Sequence, residues 1–107
     1  MQAINNQNSS DQRRAARHRT DFNSITESKK HGDLSVHVVN ISAHGFMIDD
    51  NSSLERGDRI TIRLPEAGHV ESLVLWAVDN RAGLQFERVI RVPEFLALLD
   101  KVAINAR

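Results

Sequence analysis

The sequence predicts a mainly β domain, a six-stranded antiparallel barrel followed by a C-terminal α-helix and preceded by a flexible N-terminal arm. Three observations predict it. Apolar and polar residues alternate with period two over several short stretches, turn-forming clusters separate those stretches, and the spacing becomes helical after Pro93. At 107 residues the chain has room for one hydrophobic core. Hydrophobic residues at 40% and charged residues at 26% are ordinary for a globular domain and argue against a wholly disordered or membrane-embedded chain.

In chain order, residues 1–12 are rich in Asn, Gln and Ser, with too little apolar surface to offset the entropy of ordering, so they read as a flexible tail. Residues 13–107 form the domain, with an arginine arm at 13–19, a barrel over 20–88 and a helix over 93–105. Strands are expected at roughly 20–28, 34–40, 45–49, 59–64, 69–79 and 82–88. Leu34, Val36 and Val38 alternate with Ser35 and His37, and Ile60, Ile62 and Leu64 alternate with Arg59, Thr61 and Arg63. The stretch Val70–Val78 is apolar on both faces in its second half, and Gly83-Leu84-Gln85-Phe86 alternates again, as in a terminal hairpin.

Turn signals at Lys30-His31-Gly32-Asp33, Arg56-Gly57-Asp58, Pro65-Glu66-Ala67-Gly68 and Asp79-Asn80-Arg81 are spaced as in an antiparallel meander, and closure into a barrel removes its free edges. Pro93 suits a first helical turn. Phe95, Leu96, Leu99, Val102 and Ala103 then form a stripe fit to cover a barrel opening, with Val92 a poor N-cap before it.

The chain has no cysteine, which removes disulfides, thiolate metal sites and cysteine nucleophiles. No apolar run approaches signal-peptide or membrane-span length, so a cytoplasmic protein without membrane insertion is expected. Formal net charge is zero, yet residues 1–19 hold four arginines against one aspartate. That arm can seek an anion locally.

Two short patterns bear on chemistry: Arg13-Arg14-Ala15-Ala16-Arg17 before the first strand, and Asn40-Ile41-Ser42-Ala43-His44-Gly45 between the second and third. Alone, the first is compatible with a solvated basic arm and the second with an Asx/Ser turn. Together they resemble the bipartite signature of the PilZ domain family, RxxxR followed by (D/N)xSxxG. Arg13 and Arg17 fill the first half, and Asn40, Ser42 and Gly45 the second. The resemblance spans about residues 13–103.

It implies a receptor for cyclic di-GMP that changes the conformation of its arm on binding and signals to an unidentified protein effector. No cofactor, DNA partner or catalysis is implied, and a monomer is expected. Arginine suits such a ligand because its planar fork matches phosphate oxygens and the guanine O6/N7 edge, and can stack on a ring. By the same resemblance Asn40 would offer a donor and an acceptor to a guanine edge and Ser42 a small hydroxyl. Gly45 would permit a turn at positive φ and close approach of the ligand to the backbone. Arg14 would supply a third cationic contact. Trp76, on the late strand, is either a stacking surface for guanine or a core residue.

The histidines His31, His37, His44 and His69 fall on separate turns and strands without metal-ligand spacing, and no nucleophile motif or phosphate-binding glycine loop occurs. Two other readings remain. One is a domain of the same fold that acts only through protein contacts. The other is a small RNA-binding barrel using Arg13, Arg14, Arg17 and Arg19, against which stands the absence of tyrosine and the small number of other aromatics.

Overall fold

The computed structural model describes residues 16–51 and 53–104. They form β1 (His18–Ser28), β2 (Gly32–Ile41), β3 (Gly45–Asp49), β4 (Arg59–Leu64), β5 (Gly68–Val78), β6 (Arg81–Phe86) and α1 (Val92–Val102). The six strands close into an antiparallel barrel, in the order β1-β2-β3-β6-β5-β4. The expected tail, and Arg13 and Arg14 of the arm, lie outside the described residues.

The order departs from a meander, since β3 pairs with β6 rather than β4. The reason is the segment after β3. Asn51 N–H donates to the Asn80 carbonyl at 2.7 Å, so the chain is still beside the β5–β6 turn as it leaves β3. It then crosses the barrel end with Leu54 buried at 3% exposure, and rejoins the sheet where Val74 N–H donates to the Asp58 carbonyl at 2.9 Å. Burying Leu54 in the core is worth about 1.5–3 kcal/mol for a leucine-sized side chain.

Alternation sets the core. Val36, Val38 and Ile41 of β2, Phe46 and Ile48 of β3, Ile60, Ile62 and Leu64 of β4, Val70 and Val74 of β5, and Ala82, Leu84 and Phe86 of β6 all point inward. Phe95, Leu98 and Leu99 of α1 join them. The helix covers the opening beside the β2–β3 turn, to which Ile90 is tied by a hydrogen bond from its N–H to the Ala43 carbonyl at 2.9 Å. Closure between β1 and β4 is brief, with Thr26 opposite Ile62 and Glu27 opposite Thr61. Nearer its start, β1 is flanked by the segment after α1: Ala103 bridges Thr20, and Ile104 N–H donates to the Arg19 carbonyl at 2.9 Å.

Several boundaries differ from expectation, and three of the differences have a cause in nearby contacts. The strand β1 begins at His18, because pairing with Ile41 and Asn40 extends it into the arm. The strand β6 ends at Phe86, where the backbone turns toward the β2–β3 loop, and Phe86 N–H donates to the His44 carbonyl at 2.8 Å. In α1 the N-cap is Arg91 rather than Val92, without a side-chain cap, and the helix ends at Val102 because Ala103 returns to extended backbone to meet β1.

Candidate functional site

Bulges decide what faces outward. Along β2 the inward residues run Val36, Val38 and then Ile41, a step of three rather than two, because the register with β3 shifts between Val38 and Asn40. An extra residue at such a point bends the strand and re-aims its side chains. Asn40 is left half-buried off the core, opposite Arg19 on one side and Met47 on the other. Met47 in turn faces Gly83, and Gly83 faces Trp76. Arg19, Asn40, Met47, Gly83 and Trp76 therefore form one row of register partners across β1, β2, β3, β6 and β5.

The two halves of the signature meet at one end of this row. Arg17 Nη1 donates to Asn40 Oδ1 at 2.8 Å, and the Asn40 amide nitrogen lies 3.8 Å from Met47 Sδ, a weak acceptor. Asn40 is thus oriented from both sides. Because asparagine is neutral, it positions the guanidinium without cancelling its charge. Arg17 and Arg19 are both exposed, so the row presents two cations at its β1 end.

Ser42 is a turn residue in this state. It is 3% exposed, its Oγ accepts from His44 N–H at 3.1 Å, and its own N–H donates to the Gly45 carbonyl at 2.8 Å. Gly45 corrects an expectation. Its backbone does not enter the positive-φ region, which among the glycines here belongs to Gly32, Gly57 and Gly68. Glycine is required because β6 approaches so closely that a Cβ would overlap the Leu84 carbonyl oxygen.

Trp76 lies outside the barrel, 39% exposed, beyond a second bulge between Val74 and Trp76. The indole covers Gly83, where a Cβ would overlap its Nε1 and Cε2 atoms. Gly83 is the seat that lets a large ring pack against the sheet while part of it stays open to solvent. Sequence reasoning missed Arg19 as a member of the row, together with Met47 and Gly83. Outward alternation on β3 marks Met47, whereas Gly83 becomes meaningful only through its register with Trp76.

A wide hollow lies elsewhere. It is a groove of about 810 Å³ by the β1–β2 hairpin, lined by Lys30, Asp58, Arg59 and Glu71 among others, and contains no residue of the signature. Burial pushes the Asp58 carboxyl up, but hydrogen bonds from the Glu55 backbone and from His31 and Lys30 outweigh it and hold it below its ordinary value. That network ties the hairpin to the loop before β4. Among the described residues, no three acidic or imidazole groups converge as a metal site.

A family model described as the PilZ domain matches residues 11–102. Among solved structures, the chain is similar to one titled as the crystal structure of the PilZ domain of CeSA from a cellulose-synthesizing bacterium. That likeness has a TM-score of 0.58 and 11% identity, and covers 82% of this chain and 95% of the other. At this identity it shows the fold. No curated protein sequence matches the chain.

Proposed function

The chain belongs to the PilZ domain family, and from that premise we propose that it is a cyclic di-GMP receptor whose site is the row from Arg17 and Arg19 to Trp76. The observation that carries this reading is the Arg17–Asn40 hydrogen bond, which brings the two halves of the signature together on the barrel surface. A cyclic dinucleotide presents two anionic phosphates and two flat bases, and the row offers cations at one end and an exposed indole at the other. Phosphate oxygens draw Arg17 from the neutral Asn40 amide, since an anionic acceptor adds Coulombic attraction and a bidentate fit to the guanidinium fork that an amide oxygen lacks. Asn40, released, turns its donor and acceptor to a guanine edge. A base stacks on the outer face of Trp76, worth about 1–3 kcal/mol.

Arg13 and Arg14 add cationic contacts as the arm folds over the ligand, and the altered surface at the start of β1 is read by a protein effector. The protein is in this reading a binding adaptor that acts in the cytoplasm. Among the described residues no helix is long and apolar enough to cross a membrane. Titration calorimetry with cyclic di-GMP, with GMP as control, tests the reading. Saturable heat with the dinucleotide that is lost in Arg17→Ala supports it, and no heat with the unaltered protein refutes it.

A further inference from the structure

Beside the row, β1, β2 and β3 are joined by a second set of side chains. His37 of β2 lies between two carboxylates, its Nε2 2.6 Å from Asp21 Oδ1 and its Nδ1 2.7 Å from Asp49 Oδ1. A neutral imidazole has one N–H, and would set the lone pair of its other nitrogen against an anionic oxygen at this distance. Only the imidazolium donates to both. The charges acting on His37 are these two carboxylates, one from β1 and one from β3. Hydrogen bonds to Asp21 first and Asp49 second hold its pKa above the ordinary histidine value, against a small opposing effect of burial. The side chain is 29% exposed, so solvent protons reach it.

The position of Asp21 gives this cluster its consequence. It falls within the register shift between Arg19 and Phe22, where β1 carries one residue more than β2. The same bulge is fixed from inside by Thr20, whose buried Oγ1 donates to the Val38 carbonyl at 2.9 Å. His37 fixes it from outside through Asp21, which lies two residues from Arg19 and four from Arg17. Resting on the reading of the row as a nucleotide site, we infer that the Asp21–His37–Asp49 clamp is a proton-operated latch on the β1 bulge. It seats the arginine arm when closed, and makes affinity for the anionic nucleotide fall as pH rises.

Two effects act in the same direction when the proton leaves. The bulge loses its outer tie, so the arm must be ordered at the ligand's expense. The cluster also gains a full negative charge on the strands that carry the site, which repels phosphate. Linkage makes the effect reciprocal, so bound nucleotide raises the His37 pKa by the factor by which the proton raises affinity. A rise of about half to one pKa unit corresponds to an affinity loss of about 3- to 10-fold across the titration.

The test is calorimetry with cyclic di-GMP at a series of pH values from slightly acidic to slightly alkaline, on the full chain and on His37→Gln. His44→Gln controls for the exposed imidazole in the β2–β3 turn. NMR on the ligand-free protein follows the His37 ring together with the amides of residues 19–22. Expected are a loss of about 3- to 10-fold with rising pH in the unaltered protein and in His44→Gln, a flat profile in His37→Gln, and bulge amides that shift with the His37 midpoint. The same slope in His37→Gln as in the unaltered protein, or bulge amides that ignore the His37 titration, overturns the latch while leaving the receptor reading intact. Absence of binding at every pH in all three proteins sinks the receptor reading, and the latch with it.

Discussion

Arg17 and Asn40 are 23 residues apart in sequence and 2.8 Å apart in space, the guanidinium donating to the amide oxygen on the barrel surface. The contact is exposed and its acceptor is neutral, so it places the cation without consuming its charge. This relation makes Arg17 separable from the fold. Arg17→Ala is expected to weaken cyclic di-GMP binding by about 10- to 100-fold, the loss of one hydrogen bond between charged groups, while the melting temperature moves by no more than about 2 °C. Calorimetry and thermal denaturation on the same sample check both halves.

Gly83 and Trp76 make the opposite kind of pair, in which stability and binding move together. Gly83→Ala forces the indole off its seat, so overpacking is expected to destabilise by about 1–3 kcal/mol. The Trp76 fluorescence maximum should shift as the ring enters solvent. Trp76→Ala is expected to weaken dinucleotide binding by about 1–3 kcal/mol, with a smaller loss of stability because the ring is already 39% exposed. Fluorescence spectra, melting curves and ligand titrations on the two variants distinguish these outcomes.

Gly45→Ala tests a backbone constraint rather than a conformational one. A methyl group there meets the Leu84 carbonyl oxygen, which cannot swing aside as a flexible side chain would. The β3–β6 ladder must open, at a cost of at least about 1–3 kcal/mol, and the loss should appear as a lower urea midpoint with faster amide exchange at Gly45 and Gln85.

Stability should also depend on pH through His37. Its pKa is raised in the folded state, so its contribution is fully present below the unfolded value of about 6.5 and is lost as pH rises through the folded value. Asp58 acts in the opposite sense. Its lowered pKa contributes stability above the ordinary aspartate value of about 3.9, and this is lost as pH falls through the folded value. Urea denaturation of His37→Gln should remove the alkaline component, and that of Asp58→Asn the acidic one.

The sequence showed the barrel well because its signals are local. Inward residues at period two on β2 and β4, and Phe95 and Leu99 at helical spacing, do not depend on which strand lies next to which. Strand order was not legible, because nothing local says that β3 will pair with β6. The need for glycine at position 45 comes from the Leu84 carbonyl oxygen and not from a positive φ, and close approach of another strand leaves no mark on neighbouring residues. Met47 and Gly83 joined the site only once register set them between Asn40 and Trp76. The Asp21–His37–Asp49 cluster likewise spans three strands and follows from no motif.

The row from Arg17 to Trp76 is tested most directly by chemical-shift mapping. Cyclic di-GMP is titrated into the labelled protein while amide, guanidinium and indole signals are followed. Saturable shifts concentrated on Arg17, Arg19, Asn40, Met47, Gly83 and the Trp76 indole are expected. Shifts that gather instead around Lys30 and Asp58 in the groove by the β1–β2 hairpin, or no shifts at saturating nucleotide, would contradict the row as the binding site.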